Sequence, residues 1–171
     1  MLNAFLVTLD NAPRRVFAFL SVICLAMLAF GLYLQHSKGL EPCPMCIVQR
    51  YALFSVAIVA ALLSASASRR AHFWGALVLL LASGFGAFVA ARQTWLQWYP
   101  PEVATCGRDF YGMIENFPLQ RVIPMIFKGS GDCSAVDWTF LGGSIANWAF
   151  LVFCLVGVLA LALISRRAKR R

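Results

Sequence analysis

"IVQRYALFSVAIVAALLSASA", Ile47–Ala67, is a run of 21 residues whose only charge is Arg50. A helix rises about 1.5 Å per residue, so about 20 apolar residues cross the roughly 30 Å hydrocarbon core of a bilayer. The run is therefore expected to span a membrane, and the flanking sequence repeats the pattern. "VFAFLSVICLAMLAFGLYLQ" (Val16–Gln35) carries no charge; "HFWGALVLLLASGFGAFVAA" (His72–Ala91) and "SIANWAFLVFCLVGVLALALIS" (Ser144–Ser165) complete a set of four. Of the 171 residues 61% are hydrophobic and only 13% charged, and the mean hydropathy is +0.75. Soluble domains average roughly 45–50% apolar residues, so an ordinary soluble fold is excluded.

These runs predict an all-α membrane protein: a four-transmembrane-helix bundle forming a single integral membrane domain, 1–171, with spans at about 16–35, 47–67, 72–91 and 144–165. The first run follows Arg14 and Arg15 as a signal peptide would. It exceeds the usual apolar core of about 7–15 residues, however, and no small-residue cleavage site follows in "LQHSKGLEP", so it is read as a retained span. Only "SRRA" joins the second and third runs, which makes them antiparallel neighbours. Ser83, Gly84, Gly86, Ala87 and Ala90 supply the small side chains that let helices approach closely in lipid.

Charge sets the orientation. Nine of the 15 basic residues lie before the first run (Arg14, Arg15), between the second and third (Arg69, Arg70) or after the fourth (Arg166, Arg167, Lys169, Arg170, Arg171). Of the seven acidic residues only Asp10 shares that side. By the positive-inside rule both termini are cytoplasmic, and the net charge of +8 records topology rather than a nucleic-acid partner. Two loops then face outward, at about 36–46 and 92–143. Trp95, Trp98, Tyr99 and Trp148 fall where interfacial aromatic belts are found. Within the long loop, Leu119, Val122, Ile123, Ile126 and Phe127 are expected to form the apolar face of a short interfacial helix, interrupted by Pro124.

The topology sorts the six cysteines. Cys24 and Cys154 lie mid-span and are read as small buried hydrophobes. Cys43, Cys46, Cys106 and Cys133 lie on the outer side, where two disulfides are expected from three possible pairings. The spacing favours Cys43 with Cys46, which leaves Cys106 to close a loop of 26 residues with Cys133. Such a loop-closing bridge stabilises a fold by roughly 3–4 kcal/mol and could be a plain staple; zinc ligation is disfavoured on an oxidising side.

"CPMC" is harder to read as a staple, because so small a ring restricts the unfolded chain little. C-x-x-C pairs instead have lowered thiol pKa values and exchange readily. Cys46 should sit in the first turn of the second span, where unpaired amides favour a thiolate. Arg50 is one turn deeper on the same face. An arginine inside a span is costly and usually functional; it either snorkels to the headgroups or stabilises an anion at the membrane edge. Beside Cys133, Gly129 and Gly131 in "KGSGDC" suggest a mobile backbone.

"CIVQRYALF" (Cys46–Phe54), "WYPPEVATC" (Trp98–Cys106) and "GSGDCSAVDWTFLG" (Gly129–Gly142) together resemble the DsbB family of bacterial inner-membrane thiol:quinone oxidoreductases. The likeness covers nearly the whole chain. It implies redox disulfides Cys43–Cys46 and Cys106–Cys133, with the loops periplasmic and the chain multi-pass in the inner (cytoplasmic) membrane. It implies that Cys106 reacts with a periplasmic DsbA-like thioredoxin-fold oxidase, and that Cys133 then exchanges with Cys43 and frees Cys46. Electrons from Cys46 would pass to a quinone, ubiquinone or menaquinone, of the membrane pool that feeds the respiratory chain, with Arg50 holding the developing charge. Gln93 stands where some family members have a histidine linked to quinone; it can hydrogen-bond a quinone oxygen but cannot change charge. Two other readings compete: a disulfide-stapled structural tetraspan protein, and a quinone reductase of the vitamin K epoxide reductase type, whose C-x-x-C would be expected late in the chain.

Overall fold

A computed structural model of the chain describes residues 13–39, 42–100, 124, 131–136 and 138–169. Four long helices dominate it: α1 (Pro13–Lys38), α2 (Pro44–Ala65), α3 (Arg69–Trp98) and α4 (Ile145–Lys169). Each contains a stretch long and apolar enough to cross a membrane, so the chain adopts the expected four-span helical architecture. Between α3 and α4 the described residues add one helical turn, Gly131–Ser134, and a hairpin of β1 (Thr139–Phe140) against β2 (Gly143–Ser144). Cys106 and the expected surface helix at Pro118–Phe127 lie outside the described residues, apart from Pro124, which is helical and exposed.

Local chemistry sets the helix starts. Proline opens α1 and α2, where its fixed φ suits the first helical position and no amide is needed. Ser68 caps α3, its hydroxyl accepting the Ala71 amide at 3.5 Å. The apolar run ends at Ala91, yet α3 continues about two turns further to Trp98. Gln93 and Leu96 in that extension are buried, Leu96 in a cluster with Cys43, Met45, Val89 and Cys133, which keeps the helix wound past the point where hydropathy fails.

The buried positions explain the packing. On α3, His72, Ala76, Leu79, Ser83, Gly86, Ala90 and Gln93 step by alternate fours and threes, the spacing of one inward stripe. Met45, Gln49, Ala52, Val56, Ala60 and Leu63 make the matching stripe on α2. Lipid offers no hydrophobic drive between helices, so close packing and polar ties decide their association. Gly86 lets the Phe153 ring of α4 lie against the α3 backbone, and Gly75 does the same for Leu63 of α2. Gly84 faces open space, with nothing within 4 Å among the described residues. Ser21 Oγ of α1 donates to the Ala57 carbonyl of α2 at 3.0 Å, and Thr94 Oγ1 donates to Asn147 Oδ1 between α3 and α4 at 2.9 Å.

Neighbours in sequence are neighbours in space: α1 packs along α2, α2 along α3, and α3 most extensively along α4. α1 and α4 make little direct contact, so a crevice remains between them. The hairpin lies at the end of the crevice where α2 begins. Leu141 (φ 50°) and Gly142 (φ 80°) both take left-handed backbone, forming the two-residue turn that matches strand twist. Trp148 Nε1 of α4 donates to the Phe140 carbonyl at 3.0 Å, and Trp138 stands edge-on to Phe30 of α1. Two-residue strands are too short to show an alternating pattern, so this hairpin is not legible from periodicity; the glycine pair Gly142-Gly143 is its sequence sign.

Candidate functional site

The site is built on the first turn of α2. Cys43 is the N-cap, with extended backbone (φ −63°, ψ 160°), and Pro44 follows at the first helical position. The Cys43 sulfur accepts the Cys46 amide at 3.4 Å, taking the place a serine hydroxyl fills in an ordinary cap. That geometry brings the two sulfurs to 3.0 Å, with the Cys43 thiol donating to Cys46 Sγ. Cys46 therefore stands in the first turn, as expected from its position.

Cys133 completes the sulfur cluster. It is fully buried in the turn Gly131–Ser134, which packs against α3 and α2, and its sulfur accepts from the Cys43 thiol. That bond, then the bond to Cys46 and burial, push the Cys43 thiol far above its ordinary pKa, so Cys43 is held protonated. Cys133, Cys43 and Met45 belong to one buried cluster with Val89 and Leu96 of α3. Cys24 lies at 0% exposure in the hydrophobic core, and Cys154 is half-buried on α4.

Gln93 reaches the same sulfurs from α3. Its Nε2 donates to Cys46 Sγ at 3.2 Å and to Cys43 Sγ at 3.4 Å. Its Oε1 accepts from Gln49 Nε2 of α2 at 2.6 Å, and the Cys46 sulfur is 3.7 Å from that same oxygen. Gln49 and Gln93 are nearly inaccessible, at 6% and 4% exposure, so neither amide can satisfy itself with bulk water. The sequence points Gln93 at a quinone oxygen; in the structure its amide is engaged with sulfur, although it also lines the cavity described below.

Arg50, one turn below Cys46, extends toward α1. Its Nη1 donates to Gln35 Oε1 at 2.7 Å and its Nη2 to the Gly31 carbonyl at 3.3 Å. Both partners are neutral, so they tie the guanidinium to α1 without offsetting its charge. Sequence reasoning missed Gln35 and Gln49. Gln49 could have been found, because it falls on the inward stripe between Met45 and Ala52; Gln35 is merely the last residue of an uncharged run.

A cavity of ≈ 600 Å³ opens in front of these groups, between α1 and α4. Cys43, Cys46, Gln49, Arg50, Gln93 and Gln97 contribute its polar wall, and aliphatic and aromatic side chains form most of the rest. Ile23, Phe30 and Ile145 line it while also being exposed on the outer surface, so the cavity opens sideways where lipid would lie. A reactive sulfur pair beside a cation, facing an apolar chamber with lateral access, suits electron transfer to a flat, lipid-soluble acceptor better than it suits a staple.

Comparison with known proteins agrees. The family model described as "Disulfide bond formation protein DsbB" matches residues 13–163. A protein named "Disulfide bond formation protein B" from Albidiferax ferrireducens is 72% identical, over 95% of this chain and 94% of its own length. One of the same name from Polaromonas naphthalenivorans is 68% identical over 98% and 99%, and one from Aromatoleum aromaticum is 51% identical over 91% and 95%.

Proposed function

The chain belongs to the DsbB family of membrane disulfide bond formation proteins, which are thiol:quinone oxidoreductases, and from that premise we propose a route for electrons through its own residues. A periplasmic DsbA-like thioredoxin-fold oxidase, in its dithiol form, attacks the Cys106–Cys133 disulfide. Cys106 takes the mixed disulfide and Cys133 leaves as a thiolate. Cys133 attacks Cys43 of the Cys43–Cys46 disulfide and expels Cys46 as a thiolate. The partner's second thiol resolves its mixed disulfide and departs oxidised. Cys106 then displaces Cys43 from Cys133, which restores the loop disulfide and leaves Cys43 and Cys46 reduced.

Reoxidation of that pair to its disulfide releases two electrons and two protons, which a bound quinone takes up in becoming a quinol. Ubiquinone or menaquinone fits the cavity by chemistry: apolar walls and lateral access for a prenyl tail, and amide and guanidinium donors for ring oxygens. Arg50 supplies the positive charge that favours anionic character on Cys46 and on the acceptor. Gln93 donates to Cys46, and Cys43 supplies a thiol proton at the same sulfur.

Orientation follows from charge. Arg14, Arg69, Arg70 and Arg166 mark the bundle end opposite Cys43, which supports cytoplasmic termini and a cysteine end open to the periplasm of a bacterial inner membrane. The observation that carries the proposal is the contact of Cys133 with Cys43 and of Cys43 with Cys46 beside the cavity. The test is a spectrophotometric assay of purified protein with a reduced DsbA-like partner and a soluble ubiquinone analogue. Quinone consumption that requires both the partner and Cys46, and is absent in Cys46→Ser, supports the route. Partner oxidation beyond one equivalent per chain that persists in folded Cys46→Ser contradicts it.

A further inference from the structure

An amide has a donor end and an acceptor end, and a half-turn about its last bond exchanges them. At Gln93 this choice has chemical weight. The NH2 end toward sulfur stabilises negative charge on Cys46, and the oxygen end opposes it. Nothing in Gln93 itself prefers one arrangement, and both glutamines are nearly inaccessible. The group that distinguishes them is Gln49, whose Nε2 lies 2.6 Å from Gln93 Oε1 and takes that oxygen's short bond, leaving Cys46 Sγ 3.7 Å from the oxygen but 3.2 Å from the NH2 nitrogen. We propose that Gln49 is a positioning residue: its amide locks Gln93 with the NH2 aimed at Cys43 and Cys46, and so holds charge on Cys46 in the reduced pair.

Both glutamines stand on the inward stripes of α2 and α3, so the orientation is passed between two packed helices rather than through a loop. Because neither amide titrates, the lock holds at any pH at which the protein is folded. A carboxylate at position 49 would reverse it, since it can only accept. Gln93 would then turn its NH2 toward that carboxylate and its oxygen toward sulfur.

This inference rests on the reading of Cys46 as the reacting thiolate, but it is tested without quinone or partner. In a Cys106→Ser/Cys133→Ser background, the reduced Cys43–Cys46 pair is titrated by thiolate ultraviolet absorbance, with a Cys46→Ser subtraction. Gln49→Met, which keeps chain length without a donor, should lower the thiolate-to-thiol ratio of Cys46 near neutral pH. Gln49→Glu should lower it further, by roughly tenfold from the parent, the scale of one hydrogen bond to a charged group. Gln93→Leu removes the donor itself, so adding Gln49→Met to it should change nothing more. An unchanged ratio in Gln49→Met and Gln49→Glu, or losses that add in the double variant, would overturn the proposal. If Gln49→Glu fails to fold, the Gln49→Met and Gln93→Leu cycle decides alone. Failure of the route itself would show separately, as a parent protein that consumes no quinone.

Discussion

The two ends of the bundle both bury polar side chains, but they direct them at different partners. At the end carrying the Ser66–Ser68 turn, side chains close on backbone: His72 Nε2 lies 3.1 Å from the carbonyls of both Leu63 and Ser66, and Arg14 Nε donates to the Ser64 carbonyl at 2.8 Å. At the cysteine end, apart from one bond of Arg50 to the Gly31 carbonyl, side chains mostly meet other side chains: Gln49 to Gln93, Gln93 to two sulfurs, Arg50 to Gln35, and Cys43 to Cys133. A carbonyl of a helix end is a fixed acceptor and serves as an anchor. A sulfur or an amide can change bond, charge or direction, which is what the proposed exchange at the cysteine end requires.

The sharpest way to break this comparison is to remove one sulfur from each part. Cys46→Ala should lower turnover at least ~10³-fold, as loss of a covalent participant does, with the thermal midpoint of the detergent-solubilised protein nearly unchanged. Cys24→Ala, in the core, should do the reverse: some loss of stability with turnover retained. Equal turnover in the two variants would dissolve the distinction.

Gly86→Val drives a side chain into the Phe153 ring and should destabilise by about 1–3 kcal/mol, whereas Gly84→Val, facing open space, should change the midpoint little. Next in size is the cation. Arg50→Met should raise the apparent quinone KM roughly tenfold while the KM for the partner stays put, because the guanidinium lines the cavity rather than the sulfur exchange path. Steady-state kinetics with each substrate varied in turn would show it. At the opposite end His72→Ala should cost only about 1 kcal/mol of stability, the scale of its lost hydrogen bonding, with both KM values unchanged.

The same contrast explains what the sequence made legible. Hydropathy alone placed four spans, because lipid demands about 20 apolar residues and the chain obeys that demand four times. Arg50 and the C-x-x-C stood out because charge and paired thiols are conspicuous in an apolar run. Gln49 and Gln35 did not, since a neutral amide disturbs a hydropathy profile little and its partner is decided by helix packing. The extra turns of α3 escaped for a related reason: they are held by burial of Gln93 and Leu96 against the sulfur cluster, a tertiary effect invisible in local composition. Gln93 itself was noticed through family resemblance, but its hydrogen bonds to sulfur and to Gln49 are displayed only by the folded chain.

The central claim is that the Cys43–Cys46 pair delivers its electrons directly to a quinone in the adjoining cavity. A single-turnover experiment tests it most directly: the protein is prereduced at that pair, freed of reductant, and mixed in a stopped-flow cell with quinone and no partner protein. The account predicts that one equivalent of quinone is consumed per reduced pair, with loss of two free thiols, and that Cys46→Ser consumes none. Quinone reduction that persists in Cys46→Ser, or a reduced pair that stays reduced in excess quinone, would contradict it.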